Sequence, residues 1–498
     1  MAAIFLIKLE PDTESHTLAP PLGILYLASA LENEGFEVRL YHERGTPENI
    51  QTLSREVVAR QPLCVGISTF TGPSILPSLA FSKAIKQNSN IPVVWGGLHA
   101  TMLPEQVLRN ENIDLVVLGE GEETMAALAG ALAGGRPSGQ DLQAIRGLGY
   151  KEHGRIHINP PRPFISQLDR YAPAWHHLDI NRYIYNNKFF YSLIGSRLPG
   201  DRIASLITSR GCPGRCGYCY NQFVNKRSFR AHSVERAARD IENLERNHRA
   251  TAIVFEDDCF FADKKRALDI LRRIRVPWSA SIRANYLARW GEELIQELAA
   301  DHCFELRIGA ESGSQRVLDI MGKDITIQEI YRSVELCRKH KINLLLGFMV
   351  GVPGESWEDM LQTFEMMDNL EKMGVTVASG PALFYPYPGT PLYDRAIEMG
   401  FTPPQRIEDW AAQWGPKQPP VPYVDKRTRF VGYYRTLALR RDLRGLKLPL
   451  FAKMLRFLAR KRWEKRAFRV PIDYHLPRFF LQSFRALGLK KLVRSIYE

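Results

Sequence analysis

The segment Ser209-Arg210-Gly211-Cys212-Pro213-Gly214-Arg215-Cys216-Gly217-Tyr218-Cys219 holds three of the chain's seven cysteines. The glycines and proline between them mark a loop, and the apolar run Ala204–Ser209 before it reads as a strand. Three thiolates at i, i+4 and i+7 on such a loop can wrap one face of an iron–sulfur cube. A [4Fe–4S] cluster normally takes four cysteines, so three leave one iron open to a substrate or cofactor. The alternative is a zinc site, which wants four protein ligands from paired knuckles; no second Cys or Cys/His pair lies nearby. The remaining cysteines, Cys64, Cys259, Cys303 and Cys337, are scattered. An odd total in a chain without a leader does not read as a disulfide framework.

Downstream of the loop, β-like runs alternate with helical stretches such as Val234–Asn247 and Ile327–His340. The strand candidates after Ala204–Ser209 are Ala252–Glu256, Trp278–Ile282, Phe304–Ile308, Leu344–Val350 and Val377–Phe384. That alternation over residues 201–400 predicts a partial (β/α)6 barrel, shorter than the eight-unit form. Upstream, over residues 1–140, a second alternation runs through Ile4–Lys8, Phe36–Tyr41, Leu63–Ser68, Pro92–Trp95 and Ile113–Leu118. Continuous apolar strands with helices between them predict a doubly wound, Rossmann-like parallel sheet, with its ligand at the C-terminal strand ends. The loops there are rich in small residues: Pro20-Pro21-Leu22-Gly23, Ser68-Thr69, Gly96-Gly97-Leu98-His99 and Gly119-Glu120-Gly121-Glu122. Residues 141–200 read as a linker containing a hairpin, Leu148–Ile158.

The formal charge of +13 is concentrated at the C-terminal end. From Phe401 onward 23 lysines and arginines face 7 aspartates and glutamates, a net of +16, and the rest of the chain is at −3. A near-neutral body with a basic, mostly helical region at 401–498 argues against nucleic acid as the general partner and for a local anionic one. Within it, Leu450–Trp463 sets Leu450, Phe451, Met454, Leu455 and Leu458 on one helix face with Lys453, Arg456, Arg460 and Lys461 between them. Phe479–Tyr497 is similar, and Trp410, Trp414 and Tyr423 read as packing residues near the barrel mouth. No stretch approaches 18 unbroken apolar residues, and the uncharged run Val375–Tyr393 is interrupted by four prolines. The N-terminal apolar run is too short for a signal peptide. The expectation is a soluble cytoplasmic protein, with peripheral contact to the inner face of an anionic membrane as a role for the basic region.

The spacing C-x3-C-x2-C with Tyr218 before the last cysteine resembles the radical S-adenosylmethionine superfamily. The later motifs fit the same resemblance: Phe255-Glu256-Asp257-Asp258, Ser281-Ile282-Arg283, Arg307-Ile308-Gly309-Ala310-Glu311-Ser312-Gly313-Ser314, Gly347-Phe348-Met349-Val350-Gly351-Val352-Pro353-Gly354-Glu355 and Tyr387-Pro388-Gly389-Thr390-Pro391-Leu392-Tyr393. It implies Cys212, Cys216 and Cys219 as cluster ligands. It also implies that Tyr218, Glu256, Asp257, Asp258, Arg283, Glu311, Ser312, Gly351 and Pro353 surround S-adenosylmethionine. The N-terminal domain resembles the cobalamin-binding domain of a large subgroup, with Leu22, Ser68, Thr69, Gly96, Gly97, His99, Glu120 and Gly121 as the implied contacts. Free-standing cobalamin domains carry Asp-x-His-x-x-Gly, whose histidine binds cobalt from below. Here the nearest match, His42-x-x-Gly45, has Leu40 in place of Asp, and Asp12 and His16 are at the wrong spacing. Cobalamin without a histidine lower ligand is expected.

The resemblance implies a cobalamin-dependent C-methyltransferase, acting on an unactivated carbon through a 5′-deoxyadenosyl radical and methylcobalamin. The alternative within the same subgroup is an oxidative cyclase or ring-rearranging enzyme that transfers no methyl, similar to the anaerobic cyclase of bacteriochlorophyll synthesis. A tRNA methylthiotransferase would need three further cysteines in the first domain, where only Cys64 stands. A corrinoid-carrying scaffold is disfavoured by the intact cysteine triad. The expected partners are a small-molecule or lipid substrate and an electron donor such as flavodoxin or ferredoxin.

Overall fold

The computed structural model describes residues 3–12, 19–184, 199–378, 380–413, 421–428, 431 and 449–468. The N-terminal apolar runs become β1 (Ala3–Glu10), β2 (Glu37–Arg44), β3 (Cys64–Ser68), β4 (Val93–Gly96) and β5 (Leu115–Val117). They pair in parallel in the order β2-β1-β3-β4-β5. Their alternating side chains divide two cores. Phe5 and Ile7 meet helices Pro47–Arg60 and Ile75–Asn88 on one face; Ile4 and Leu6 meet helices Leu22–Asn33 and Glu122–Ala133 on the other. The strand order turns back between β1 and β3, which opens a crevice at their C-terminal ends. The hairpin, β6 (Leu148–Glu152) and β7 (Arg155–Ile158), does not stand apart as a linker: it continues the sheet antiparallel to β5.

The second sheet begins with β8 (Ile203–Leu206), followed by a short ribbon of β9 (Ser209–Arg210) and β10 (Arg230–Ala231). Next come β11 (Ala252–Phe255), β12 (Trp278–Ser281), β13 (Cys303–Glu311), β14 (Asn343–Val350), β15 (Thr376–Val377) and β16 (Ala382–Leu383). The parallel order β8-β11-β12-β13-β14-β15 follows the chain, as in an unclosed barrel. The strand expected over Val377–Phe384 is split. β15 pairs with Leu345 and Leu346 of β14, and β16 with Met349 and Val350. Gly380 and Pro381 lie between them, and proline has no N–H to give to a ladder.

Residues after the barrel pack back on both domains. Phe401, Ile407 and Trp410 join the N-terminal core, with Trp410 Nε1 donating to Gln106 at 2.7 Å. In helix Pro449–Glu464, Ala459 and Trp463 are buried on the barrel, whereas Phe457 and Leu458 are exposed. Of the apolar face read from the sequence, Leu458 is thus exposed; the side chains of Leu450, Phe451, Met454 and Leu455, and all of His16, Trp414 and Phe479–Tyr497, lie outside the described residues. No described helix is long and apolar enough to cross a membrane.

Candidate active site between the two domains

The cysteine loop is shaped by its flanks. Gly211 has φ +84°, and a Cβ there would lie 2.0 Å from the Ser228 carbonyl oxygen, so only glycine fits. Asp257 holds the entry to the loop: it accepts from the Thr208 N–H at 3.1 Å, from the Thr208 hydroxyl at 2.9 Å and from the Ser209 hydroxyl. Asp258 brackets the loop, accepting from the Gly211 N–H at 3.1 Å before Cys212 and from the Tyr220 hydroxyl at 2.6 Å after Cys219. The middle is pinned by the Gly217 N–H donating to the Met321 carbonyl at 2.7 Å and by Leu392 N–H donating to the Gly217 carbonyl at 2.9 Å. The Thr390-Pro391-Leu392 motif thus serves the loop directly.

This geometry suits an anionic iron–sulfur group. The Arg283 guanidinium donates to Cys216 Sγ at 3.5 Å and to the Lys323 carbonyl. A hydrogen bond from Cys259, with Arg283 nearby, holds the Cys212 thiol down at about 6, whereas burial pushes Cys219 up to about 11. Arg283, expected beside S-adenosylmethionine, therefore faces the sulfurs. Next to them, Tyr218 OH and Lys323 Nζ both donate to Glu311 Oε1 at 2.9 Å. Glu311 sits in a bulge of β13 with φ +63°. Nothing around Lys323 in the sequence marks it; proximity in the fold does.

A cavity of about 330 Å³ lies between the domains. Leu22, Ser68, Gly96, Gly97, Glu120 and Gly121 line it from the first sheet, and Arg210, Tyr220, Glu256 and Asp258 from the second. A second cavity of about 610 Å³ shares Gly119 and Glu120 with it. The bare glycine backbone at Gly96, Gly97, Gly119 and Gly121 and the apolar wall suit close approach of part of a nucleotide-tailed cofactor. Among the described residues no histidine lines the first cavity: His42 is buried against Tyr183 OH at 3.0 Å and Glu10 at 3.3 Å.

Six expected contacts lie off this cavity. The His99 ring is buried with Nδ1 3.1 Å from the Thr71 hydroxyl and its edge against Trp410, and burial pushes it down to about 4. Thr69 is buried and does not line the cavity. Asp257 is consumed by the loop, as described above. Ser312 is buried 3.0 Å from the Thr363 hydroxyl, which fastens helix Trp357–Lys372. Gly351 and Pro353 are buried in the turn after β14, away from the inter-domain cavity.

Glu120 does more than line the cavity. Its carboxylate accepts from Arg210 at 2.9 Å, from Arg230 at 2.6 Å and from the Ile165 N–H at 2.8 Å, and Glu122 accepts from Arg210 at 2.6 Å. The first domain is thereby ion-paired to the ribbon that carries the cysteine loop. Sequence reasoning passed over Arg210, Arg230 and Glu122, because such charges ordinarily read as surface.

Glu355 is expected to make stability depend on pH. Its Oε2 accepts from the Val352 N–H at 3.1 Å, its Oε1 is buried with no partner among the described residues, and burial raises it from an ordinary 4.5 to about 7. Between these values the folded chain keeps a proton that the unfolded chain has released, so stability falls as pH rises through that window. Glu355→Gln is expected to remove up to about 3 kcal/mol of that fall. Denaturant midpoints of both proteins at about pH 5 and about pH 8 check it, and parallel slopes would refute it.

Residues 206–367 match the Radical SAM superfamily and residues 13–129 the B12 binding domain. An uncharacterized methyltransferase of Pyrococcus horikoshii is 32% identical over 413 residues, which cover 80% of this chain and 84% of that protein. The anaerobic magnesium-protoporphyrin IX monomethyl ester cyclase of Rubrivivax gelatinosus is 27% identical over 356 residues, covering 70% of this chain and 61% of that protein. The structure of the cobalamin-dependent S-adenosylmethionine radical enzyme OxsB, with aqua-cobalamin and S-adenosylmethionine bound, superposes with a TM-score of 0.68 at 18% identity. That match covers 98% of this chain and 75% of the other, and shows the shared fold. At the identity and coverage of the Pyrococcus protein, the chain belongs to the radical S-adenosylmethionine enzymes that carry an N-terminal B12-binding domain.

Proposed function

We propose that this enzyme is a C-methyltransferase acting on an unactivated carbon of a small molecule. The observation that carries the reading is the single cavity lined both by the strand ends of the B12-binding domain and by Arg210, Tyr220 and Asp258 around the cysteine loop. Together, the cluster, S-adenosylmethionine and cobalamin supply an electron, a hydrogen-abstracting radical and a transferable methyl group. The chain's part is to position them. Asp258 sets the loop from both ends, Arg283 places positive charge against the cysteine sulfurs, and Leu22, Ile207 and Val224 give the cavity apolar wall that limits water.

The test is anaerobic reconstitution with hydroxocobalamin, S-adenosylmethionine and reductant, followed by a substrate screen. Stoichiometric corrinoid and a product heavier by one methylene are expected. Deoxyadenosine without retained corrinoid or methylated product would replace this reading with rearrangement or with cyclisation, the latter being the chemistry named for the Rubrivivax relative.

Gly23 gives a sharper check on corrinoid binding. It lies in the first turn of helix Leu22–Asn33, lines the cavity, and a Cβ there would meet nothing within 4 Å. Gly23→Leu should therefore leave stability unchanged or raise it by roughly 1 kcal/mol through helix propensity. Its longer side chain should fill the slot and abolish corrinoid retention. Retention at the wild-type level would show that the cofactor lies elsewhere.

The same proposal gives flavodoxin or ferredoxin as electron donor and places the basic region beyond Phe401 on an anionic cytoplasmic membrane surface, where a lipid substrate would reside. Equal sedimentation of the full chain with neutral and with phosphatidylserine vesicles would sink the membrane part.

A further inference from the structure

A cluster of metal-ligating side chains lies outside the inter-domain cavity. In the 3₁₀ turn Trp175–His177, two successive histidines turn their Nε2 atoms toward one carboxylate oxygen. His176 Nε2 is 2.9 Å and His177 Nε2 2.7 Å from Glu32 Oε1, and the ring centroids are 4.3 Å apart. Neighbouring residues in an extended chain point opposite ways, so this convergence is a property of the turn.

The turn is firmly held. Ala174 N–H donates to the Leu25 carbonyl at 3.1 Å, Ala172 N–H to the Ser29 hydroxyl at 3.3 Å, and Trp175 and Leu178 pack on the core beneath helix Leu22–Asn33. Glu32 closes the last turn of that helix. Among the described residues no lysine or arginine ion-pairs with Glu32; nearby Arg170 takes Glu34 instead, at 3.4 Å.

We propose that Glu32, His176 and His177 bind a divalent transition metal ion, with Zn²⁺ the best match. Two imidazoles and a carboxylate are the donor set zinc accepts, with water in the fourth position. Mg²⁺ and Ca²⁺ ask for more oxygen ligands than this site offers. The candidate ligand atoms all lie within 4.8 Å of one another. Tetrahedral bonds of about 2.0–2.1 Å set ligand atoms about 3.3 Å apart, so each imidazole nitrogen has to move out from the Glu32 oxygen by about half an ångström. His176, with its side chain 63% exposed, has room to do so and leaves the water position open, whereas His177 at 13% is the fixed ligand. The bound ion fastens the segment that leads into the barrel to the helix whose opposite end carries Leu22 and Gly23 in the cavity.

The test uses the cluster-loaded holoenzyme, so that Cys212, Cys216 and Cys219 are occupied. After a brief chelator wash it is titrated anaerobically with zinc chloride against a chromogenic zinc chelator, and total metal is counted. One zinc per chain beyond the iron, and a thermal midpoint raised by zinc, are expected. His177→Ala and Glu32→Gln should each weaken binding by more than the roughly 10–100-fold that loss of a supporting partner costs at metal sites. Iron content and S-adenosylmethionine cleavage should stay at the wild-type level in both. The conservative Glu32→Gln guards against a local fault in the turn. Identical zinc affinity in wild type and the His176→Ala/His177→Ala double variant overturns the proposal, as does a wild type that takes up no zinc at tens of micromolar.

Discussion

Replacing Cys216 by alanine is expected to remove the iron–sulfur absorption and all S-adenosylmethionine cleavage while the chain stays folded. The loop around Cys216 does not depend on its sulfur for shape. Its backbone is held by the Gly217 N–H on the Met321 carbonyl and by the Cys219 N–H on the Cys216 carbonyl at 3.1 Å, and the flanks are held by Asp257 and Asp258. Losing one buried sulfur costs on the order of 1 kcal/mol, a small part of a stability of about 5–15 kcal/mol. Two remaining thiolates cannot hold a cube that already gives one iron to another ligand. Cys303→Ala is the control: Cys303 is buried in the barrel core, burial pushes its thiol well up, and its loss should leave both signals intact. Anaerobic reconstitution with iron counting and deoxyadenosine analysis decides the matter. Wild-type iron content in Cys216→Ala would mean that the loop does not carry the cluster.

The features that were legible in the sequence are local ones. The cysteine spacing, the apolar strands and the small-residue loops all declare themselves within about ten residues, and they give both sheets and the cleft between them. What was missed inside these motifs follows a simple rule. Successive residues at a strand end point to opposite sides. Glu256 and Asp258 therefore reach the cavity, while Asp257 between them turns under the loop; Ser68 lines the cavity and Thr69 does not. Glu311 and Ser312 part in the same way, one beside Tyr218 and the other under Thr363. Treating each motif as one contact patch hid this alternation. Lys323 and the Arg210 contacts were hidden for another reason: their partners come from distant segments, Arg210 lying 90 residues from Glu120.

That distance makes Arg210 the strongest test of how the domains are joined. Arg210→Met is expected to cost about 3–5 kcal/mol, the usual penalty for removing one partner of a buried ion pair. The guanidinium bridges Glu120 at 2.9 Å and Glu122 at 2.6 Å and lies over the Tyr26 ring at 5.1 Å. Glu120 would keep Arg230, but the Glu122 side chain, 6% exposed, would keep only the N-terminal end of its helix for compensation. A helix terminus supplies about 0.3–1 kcal/mol to such a charge, too little to replace the arginine. Arg210→Met with Glu122→Gln removes both charges and should regain part of the loss, which a double-mutant cycle in denaturant measures. Because the pairs are buried, added salt should change the result little. The functional expectation follows from the position of the lock. Loosening it moves the cobalamin-binding face away from the cysteine loop, so methyl transfer should fall more steeply than S-adenosylmethionine cleavage. A variant that unfolds at the wild-type midpoint, or loses both activities in equal measure, would show that the domains are held together by the apolar packing of Phe401, Ile407 and Trp410 instead.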